Sequence, residues 1–245
     1  MQFRDYDRQR DRDAAIRVFR EVGWITDTKH EEAADEIFGS GRTMVAEVEG
    51  SVECVVTSDP GTMCYLDEDL RLAAVTGVTT SRVARKRGLA GQLTARLLAE
   101  EARDGAHVAV LGIFEQGYYN QLGFGNGSYE HWYTFDPALL LVTSEPRIPV
   151  RLGPHDWKAM HENRLRRVRA HGSCSLTPAS MTKAEVLWSD NGFGLGYRDD
   201  QGDLSHHFWC TAKETEHGPN TVLWMAYRTK DEFHELLALL KSLGE

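Results

Sequence analysis

The stretch Val75–Glu101, VTGVTTSRVARKRGLAGQLTARLLAEE, decides how the chain is read. It opens on Val75-Thr76-Gly77-Val78-Thr79-Thr80, a β-branched run broken by one glycine, which predicts a strand. It closes as an amphipathic helix, because Leu89, Leu93 and Leu97 recur every four residues while Arg96, Glu100 and Glu101 turn away. Between them stand Arg85-Lys86-Arg87-Gly88-Leu89-Ala90-Gly91, with Arg82 just before. A helix N-terminus already carries about half a positive charge, so each cation there costs a few tenths of a kcal/mol. Gly88 and Gly91 weaken a helix by about 1 kcal/mol each. An anion docked on the bare N–H groups offsets these costs, with the glycines admitting it and the cations surrounding it.

A solvated basic turn is the plainer alternative, and it would suffice for a basic run alone. The direct succession of strand, Arg-x-x-Gly-x-Ala turn and helix weighs against it. No Gly-Lys-Ser/Thr follows the turn and no Gly-x-Gly-x-x-Gly occurs, which excludes the nucleoside-triphosphate and dinucleotide loops. The remaining pattern, Arg/Gln-x-x-Gly-x-Gly/Ala, resembles the turn on which GNAT acetyltransferases hold the pyrophosphate of acetyl-CoA.

With 245 residues, 41% hydrophobic and 27% charged, the chain suits one large globular domain or two ordinary ones. No apolar run approaches the roughly 20 residues that span a bilayer, and MQFRDYDRQRDRD does not read as a signal peptide. Cys54, Cys64, Cys174 and Cys210 form no Cys-x-x-Cys pair, so no zinc site or disulfide framework is indicated. The expectation is a cytoplasmic protein without a bound metal or a membrane partner. A net charge of −9 argues against broad nucleic-acid binding, which would also require steeply salt-dependent affinity. It suits a small cationic substrate.

Taken in order, residues 1–57 read as strand, two helices and a hairpin. Asp13–Val22 carries Ile16, Val18 and Phe19 on one stripe, and His30–Phe38 is a second helix ended by Gly39-Ser40-Gly41. Trp24 and Asp27 fall on the loop between these helices and are candidate substrate contacts, although an aromatic there more often covers the core. Thr43–Val48 and Ser51–Thr57 flank the hairpin signal Glu49-Gly50. Met63–Leu66 and Arg71–Thr80 are expected as further strands. After the central helix, Val108–Ile113 is a continuous apolar run, as in a buried parallel strand, and completes a βαβ unit. The C-terminal ends of its two strands should then open on one ligand-binding edge. Gln116–Phe124 predicts one or two helical turns, with Gly123 placed as the closing C′ glycine.

Ser128–Phe135 alternates like a strand until Asp136-Pro137 breaks it, and Ser144-Glu145-Pro146 suggests a domain boundary. Beyond it come a short strand near Pro149–Leu152, an arginine-rich helix over Asp156–Arg169, and a helix from Thr177-Pro178 to Trp188. Phe193–Arg198, Leu204–Ala212 and Thr221–Arg228 read as strands, and Thr229–Glu232 is a capping box opening a last helix over Asp231–Leu243. Gly192–Gly196 alternates glycine but leads into a strand, so it is no dinucleotide loop. His206 and His207 are adjacent, hence on opposite faces of a strand, and cannot share one metal.

The resemblance covers the first 135 residues as a complete GNAT domain. Its second element is Tyr119-Asn120-Gln121-Leu122-Gly123-Phe124, similar to the family's Tyr-x-x-x-Gly-Phe/Tyr segment. Residues 146–245 resemble, more by pattern than by motif, the tandem-GNAT enhanced-intracellular-survival type. The implied architecture is α/β (α+β): a GNAT fold over 1–145 with a mixed central sheet and a parallel βαβ acetyl-CoA unit, then a degenerate GNAT-like α+β domain over 146–245. In that group a sterol-carrier-like domain follows and its free C-terminal carboxylate serves as general base. This chain ends at Glu245 without a matching carboxylate, so either it is a shorter piece or another group is the base.

The resemblance implies acetyl transfer to a primary amine, such as an aminoglycoside-like polyamine, a lysine side chain or a small metabolite, and it suggests a homo-oligomer. The amide chain of pantetheine would pair with the backbone of Val78, Thr79 and Thr80. The pyrophosphate would sit on Arg85, Lys86, Arg87, Gly88, Leu89, Ala90 and Gly91, and the acyl end would lie beside Phe114 and Glu115. A phenol, protonated at neutral pH, can donate to the leaving thiolate. Both Tyr118 and Tyr119 are near enough in sequence, and the family register selects Tyr119. A catalytically silent acyl-CoA-binding or scaffold protein is the rival expectation.

Overall fold

The computed structural model describes residues 1–112, 117–127, 129–216 and 218–244. The chain divides into two compact units, Met1–Asn126 with Ala170–Trp188, and Gly127–Arg169 with Ser189–Glu245. In chain order the elements are β1 (Gln2–Asp5), α1 (Arg8–Glu21), α2 (Thr28–Ser40), β2 (Arg42–Val48), β3 (Ser51–Tyr65), β4 (Glu68–Thr80), α3 (Leu89–Arg103) and β5 (Val108–Val110). They continue as β6 (Val150–Leu152), α4 (Trp157–Arg166), β7 (Cys174–Leu176), α5 (Ala179–Trp188), β8 (Phe193–Arg198), β9 (Leu204–Ala212), β10 (Asn220–Ala226) and α6 (Lys230–Lys241). The mixed α+β architecture expected from the sequence is present. Among the described residues, no helix is long and apolar enough to cross a membrane.

In the first unit the sheet runs β1-β2-β3-β4-β5, with β7 on β3. Among the described residues, only β4 and β5 are parallel, paired at Leu72–Val108, Ala73–Ala109 and Ala74–Val110. This is the expected βαβ unit, with α3 as its crossover. The β2–β3 hairpin turns on Glu49 and Gly50, both at positive φ, which is the two-residue hairpin geometry. One face of the sheet packs Val45, Val52 and Val55 against Ala15, Ile16, Phe19 and Phe38 of the first two helices. The other packs Cys54, Val56 and Val75 against Leu89, Leu93 and Leu97 of α3.

Three expectations are corrected here. α1 begins at Arg8 rather than Asp13, because Asp7 caps it by accepting from the amides of Gln9 and Arg10. The strands expected at Ser51–Thr57 and Met63–Leu66 are one continuous β3, since β4 pairs along its whole length. Its other edge passes from β2 to β7, and Gly61 makes that possible: a Cβ there would stand 2.4 Å from the Ser175 carbonyl oxygen. The third is the strand expected over Ser128–Phe135. Ser128 lies outside the described residues, and 129–135 are not strand. Their alternation has no sheet to face, and Tyr129, Trp132, Tyr133 and Phe135 are exposed.

The compact units also divide differently from the boundary read near residue 145. Residues 170–188 belong with the first unit because β7 extends its sheet and α5 packs on α2, where Lys183 bridges Glu32 and Glu36.

The second unit is a four-stranded antiparallel sheet, β10-β9-β8-β6. Phe208 and Cys210 pack on Leu236, Leu239 and Leu240 of α6. The arginine-rich helix is shorter than expected and ends at Arg166. As their adjacency requires, His206 and His207 take opposite faces of β9. His206 Nε2 reaches Glu235 of α6 at 3.1 Å and its Nδ1 reaches Ser205 Oγ at 2.9 Å. His207 Nε2 accepts from the Trp224 indole at 3.1 Å, so its Nδ1 carries the proton and donates to Asn163 Oδ1 of α4 at 2.7 Å. The Asn163 amide in turn donates to the carbonyls of Leu204 and Ser205. Both rings are therefore committed to the fold.

Burial, with the nearby Arg164 cation, holds the His207 imidazole down to about 3. The unfolded imidazole takes up a proton near pH 6.5 while the folded one does not, so stability falls as pH drops below about 6.5. Asp59, lifted by burial to about 6 against hydrogen bonds from Ser40 and Thr76, acts in the opposite sense between about 6 and 3.8. The two effects can be separated by substitution. In His207→Gln the stabilising effect of higher pH is lost, so between pH 4 and pH 6 the slope of unfolding free energy against pH, from urea titrations, should be lower than in the wild type by about 1 kcal/mol per pH unit, uncovering the opposite slope of Asp59.

Candidate active site

β4 continues from Ala74, its last residue paired to β5, to Thr80. Along this reach it carries a bulge: Thr76 faces Thr57 and Thr79 faces Val55, so β4 holds one residue more than its partner. Gly77 takes up the bulge at φ 61, where a Cβ would lie 3.2 Å from the Phe19 ring. The chain then leaves the sheet through a 3-10 turn, Arg82–Ala84, before α3 starts at Leu89.

The connection is shaped by alternating backbone hand. Arg85 is extended, while Lys86 at φ 61 and Gly88 at φ 73 are left-handed. Such alternation forms concavities of inward peptide hydrogens. A left-handed lysine costs about 1–2 kcal/mol, and strain of this kind collects at functional sites. Gly88 is thus the N-cap of α3, outside the helical run, and it supplies no side-chain cap. Gln92 is the first amide to close on a carbonyl, Gly88 O at 3.1 Å. The amides of Leu89, Ala90 and Gly91 stand before it without intrahelical acceptors.

Above this turn is a cleft of about 430 Å³ lined by Val78, Thr80, Ala84, Arg85, Lys86, Gly88, Leu89, Ala90, Tyr118 and Tyr119. Arg85, Lys86 and Arg87 are exposed, and among the described residues none of them forms an ion pair. Free cations, open helix amides and an apolar floor in one cleft form a receptor for a ligand with an anionic and an amide-like part.

The two tyrosines come from the 3-10 turn Tyr119–Leu122 and the residue before it, closed by left-handed Gly123 as its position predicts. Their rings meet edge to face, with centroids 5.0 Å apart. Gly91 lies beside Tyr118 and Leu122: a Cβ at 91 would stand 3.6 Å from Tyr118 Oη and 3.7 Å from Leu122 Cδ2, ordinary contact distances. Burial, reinforced by Cys54, pushes the Tyr118 phenol up from its ordinary value. Beneath the floor, Thr80 Oγ1 donates to Cys54 Sγ at 3.4 Å, and burial pushes that thiol up to about 11.

Most of the residues singled out from sequence meet at this cleft. Val78, Thr80, Arg85, Lys86, Gly88, Leu89, Ala90 and Tyr119 line it, and Gly91 forms the first helical turn beside it. Thr79 faces the other side of the sheet, buried, with an unpartnered hydroxyl, so only its backbone borders the site. Arg87 is adjacent but not in the lining. Phe114 and Glu115 lie outside the described residues. Asp27 caps α2 by accepting from the His30 amide, and Trp24 sits edge-on to Phe19 at the margin of the core. Sequence reasoning missed Ala84, whose methyl carries no signal; it named Lys86 but not its left-handed backbone, for which lysine has no preference.

The acetyltransferase (GNAT) domain model matches residues 4–127, which contain the whole of this cleft. The chain belongs to the GNAT acetyltransferase family. No curated protein matches it by sequence. The GNAT fold extends over the chain in solved structures. Eis1 from Mycobacterium abscessus superposes over 98% of this chain and 63% of its own, at 17% identity and a TM-score of 0.72. A GCN5-related N-acetyltransferase from Anabaena variabilis does so over 99% and 63%, at 12% identity and a TM-score of 0.74. A third, from Kribbella flavida, matches over 98% and 60%, at 17% identity and a TM-score of 0.67. The chain therefore spans about three fifths of the length of the solved GNAT proteins it resembles.

The packing at Gly91 can be tested directly. Gly91→Ala should raise stability by up to about 1 kcal/mol through helix propensity, because its methyl meets only ordinary contacts. Gly91→Leu must displace Tyr118 and should lower the thermal midpoint, read by circular dichroism.

Proposed function

We propose that this protein is an acetyl-CoA-dependent N-acetyltransferase acting on a primary amine: a polyamine of aminoglycoside type, a lysine side chain or a small metabolite. The observation that carries the reading is the turn at Arg85–Gly91, where unpaired cations and open amides meet at the mouth of the cleft. The pyrophosphate of the cofactor takes those amides, with Arg85, Lys86 and Arg87 around it. The pantetheine arm pairs with the backbone of β4 at Val78–Thr80, beyond its last contact with β5. In this reading the unit of residues 1–126 and 170–188 holds the catalytic GNAT domain, and the unit of residues 127–169 and 189–245 a second, degenerate one.

The chemistry is a direct displacement. The neutral amine attacks the thioester carbonyl carbon, and the new C–N bond forms as negative charge gathers on the carbonyl oxygen, where a backbone N–H can stabilise it. Collapse breaks the C–S bond. The departing thiolate takes a proton from Tyr119, and the ammonium proton of the product passes to a base or to water. The excess of acidic residues over the whole chain favours a cationic acceptor.

A thiol-release assay with acetyl-CoA and a panel of primary amines tests the reading. Free CoA should appear above background with at least one amine, whereas a silent binder would release none. Tyr119→Phe should lower the turnover by about 100-fold while acetyl-CoA affinity stays within about twofold, and unchanged turnover would remove Tyr119 from the mechanism. Gly88→Asp sets a carboxylate where the pyrophosphate is to sit and adds a side chain at a left-handed position. Titration calorimetry should show acetyl-CoA affinity falling about tenfold or more.

A further inference from the structure

Ser81, at the N-terminus of the Arg82–Ala84 turn, makes no side-chain cap, and its hydroxyl is buried without a partner. The cap comes instead from 61 residues away. Glu21, the last residue of α1, accepts the Arg82 backbone N–H on Oε2 at 2.8 Å. Its Oε1 accepts from Arg17 Nη1 at 2.7 Å. The same guanidinium donates through Nη2 to Glu53 Oε1 at 3.0 Å and to the Val52 carbonyl at 2.8 Å, and the Glu53 carbonyl accepts the Ser81 amide at 2.8 Å. The exit of β4 is thus held on two successive amides, Ser81 and Arg82, by groups anchored on one arginine. Among the described residues, no side chain hydrogen-bonds to the backbone of 85–88 downstream of these contacts.

We infer that Glu21 is a positioning residue for the cofactor: by capping the Arg82–Ala84 turn it sets the direction in which the phosphate-binding backbone of residues 85–91 leaves the sheet. The inference rests on the acetyl-CoA reading above. Its hydrogen bond to the Arg82 amide, with the Arg17 ion pair, keeps the Glu21 carboxyl below the usual carboxylate range, so the cap is charged at neutral pH. Glu21 has no atom in the lining of the cleft, and its effect on ligand therefore passes through the turn.

The test measures binding of CoA, and of pantetheine, which lacks the phosphates, to the full chain by titration calorimetry. Glu21→Ala should weaken CoA about fivefold and leave pantetheine within about twofold, because only the phosphate end depends on the turn. Glu21→Asp keeps the charge but shortens the reach, and should behave like Glu21→Ala. Glu21→Gln keeps a carbonyl oxygen for the Arg82 amide and should bind CoA within about twofold of the wild type. A general loss of packing would instead weaken both ligands together, and Glu21→Gln would not rescue it. Equal weakening of both ligands, or native CoA affinity in Glu21→Ala and Glu21→Asp, would overturn the inference. Failure of the wild type to bind CoA would overturn the acetyl-CoA reading, and this one with it.

Discussion

The first amides of a helix have no carbonyl beneath them, and the centre of this protein is built around that shortage. At α3 no side chain closes the gap: the N-cap is Gly88, left-handed and bare. The residues that precede it bring cations rather than the acids that would ordinarily settle there. Electrostatically the turn is unfinished, and it sits at the mouth of a cleft with an apolar floor. Everything upstream serves to present it. The bulge at Gly77 bends β4 as it parts from β5, and the ion-paired end of α1 fixes where the strand lets go.

The second unit follows another logic. Its strand β9 buries the polar side chains of Ser205, His206 and His207 and satisfies them there. Asn163, His207 and Trp224 form a chain in which each donor meets an acceptor, and Arg164 lies over the Trp224 ring at 4.4 Å. His206 and Glu235 form a comparable pair on the opposite face, to which Arg147 adds a two-pronged contact. A buried network of this kind costs much when broken and little when complete, so it selects one packing over its neighbours. Histidine here is a hydrogen-bonding core residue, neutral and immobile, rather than a proton carrier.

Much of the first unit was legible because its signals are local. The β-branched run, the leucine stripe of α3 and the closing Gly123 each state their conformation within a few residues, and the structure agrees with them; the apolar run from Val108, expected as a buried strand to Ile113, is strand only over Val108–Val110 and half-buried there, and Ile113 lies outside the described residues. What escaped depended on distant partners. Alternation over 129–135 reads as strand only if those residues reach a sheet edge, and they pair with none of the described strands. The start of α1 turned on Asp7 finding the amides of its own first turn, within a run too polar to show periodicity. The gap between the strands expected at Ser51–Thr57 and Met63–Leu66 holds Pro60 and Gly61, yet β4 pairs through both and β7 closes on the glycine. Glu21 could not be found at all from spacing, since its role is defined by an amide far along the chain.

The return of residues 170–188 to the first sheet means that this unit is not written as one uninterrupted span of sequence. Severing the chain after residue 145 would leave β3 with a bare edge at Gly61–Met63 and strip α2 of the helix that covers it. Such a fragment would expose a sticky strand and an apolar helix face to the solvent. Recombination that exchanges the second half of the gene must therefore carry over, or replace, a strand and a helix belonging to the first.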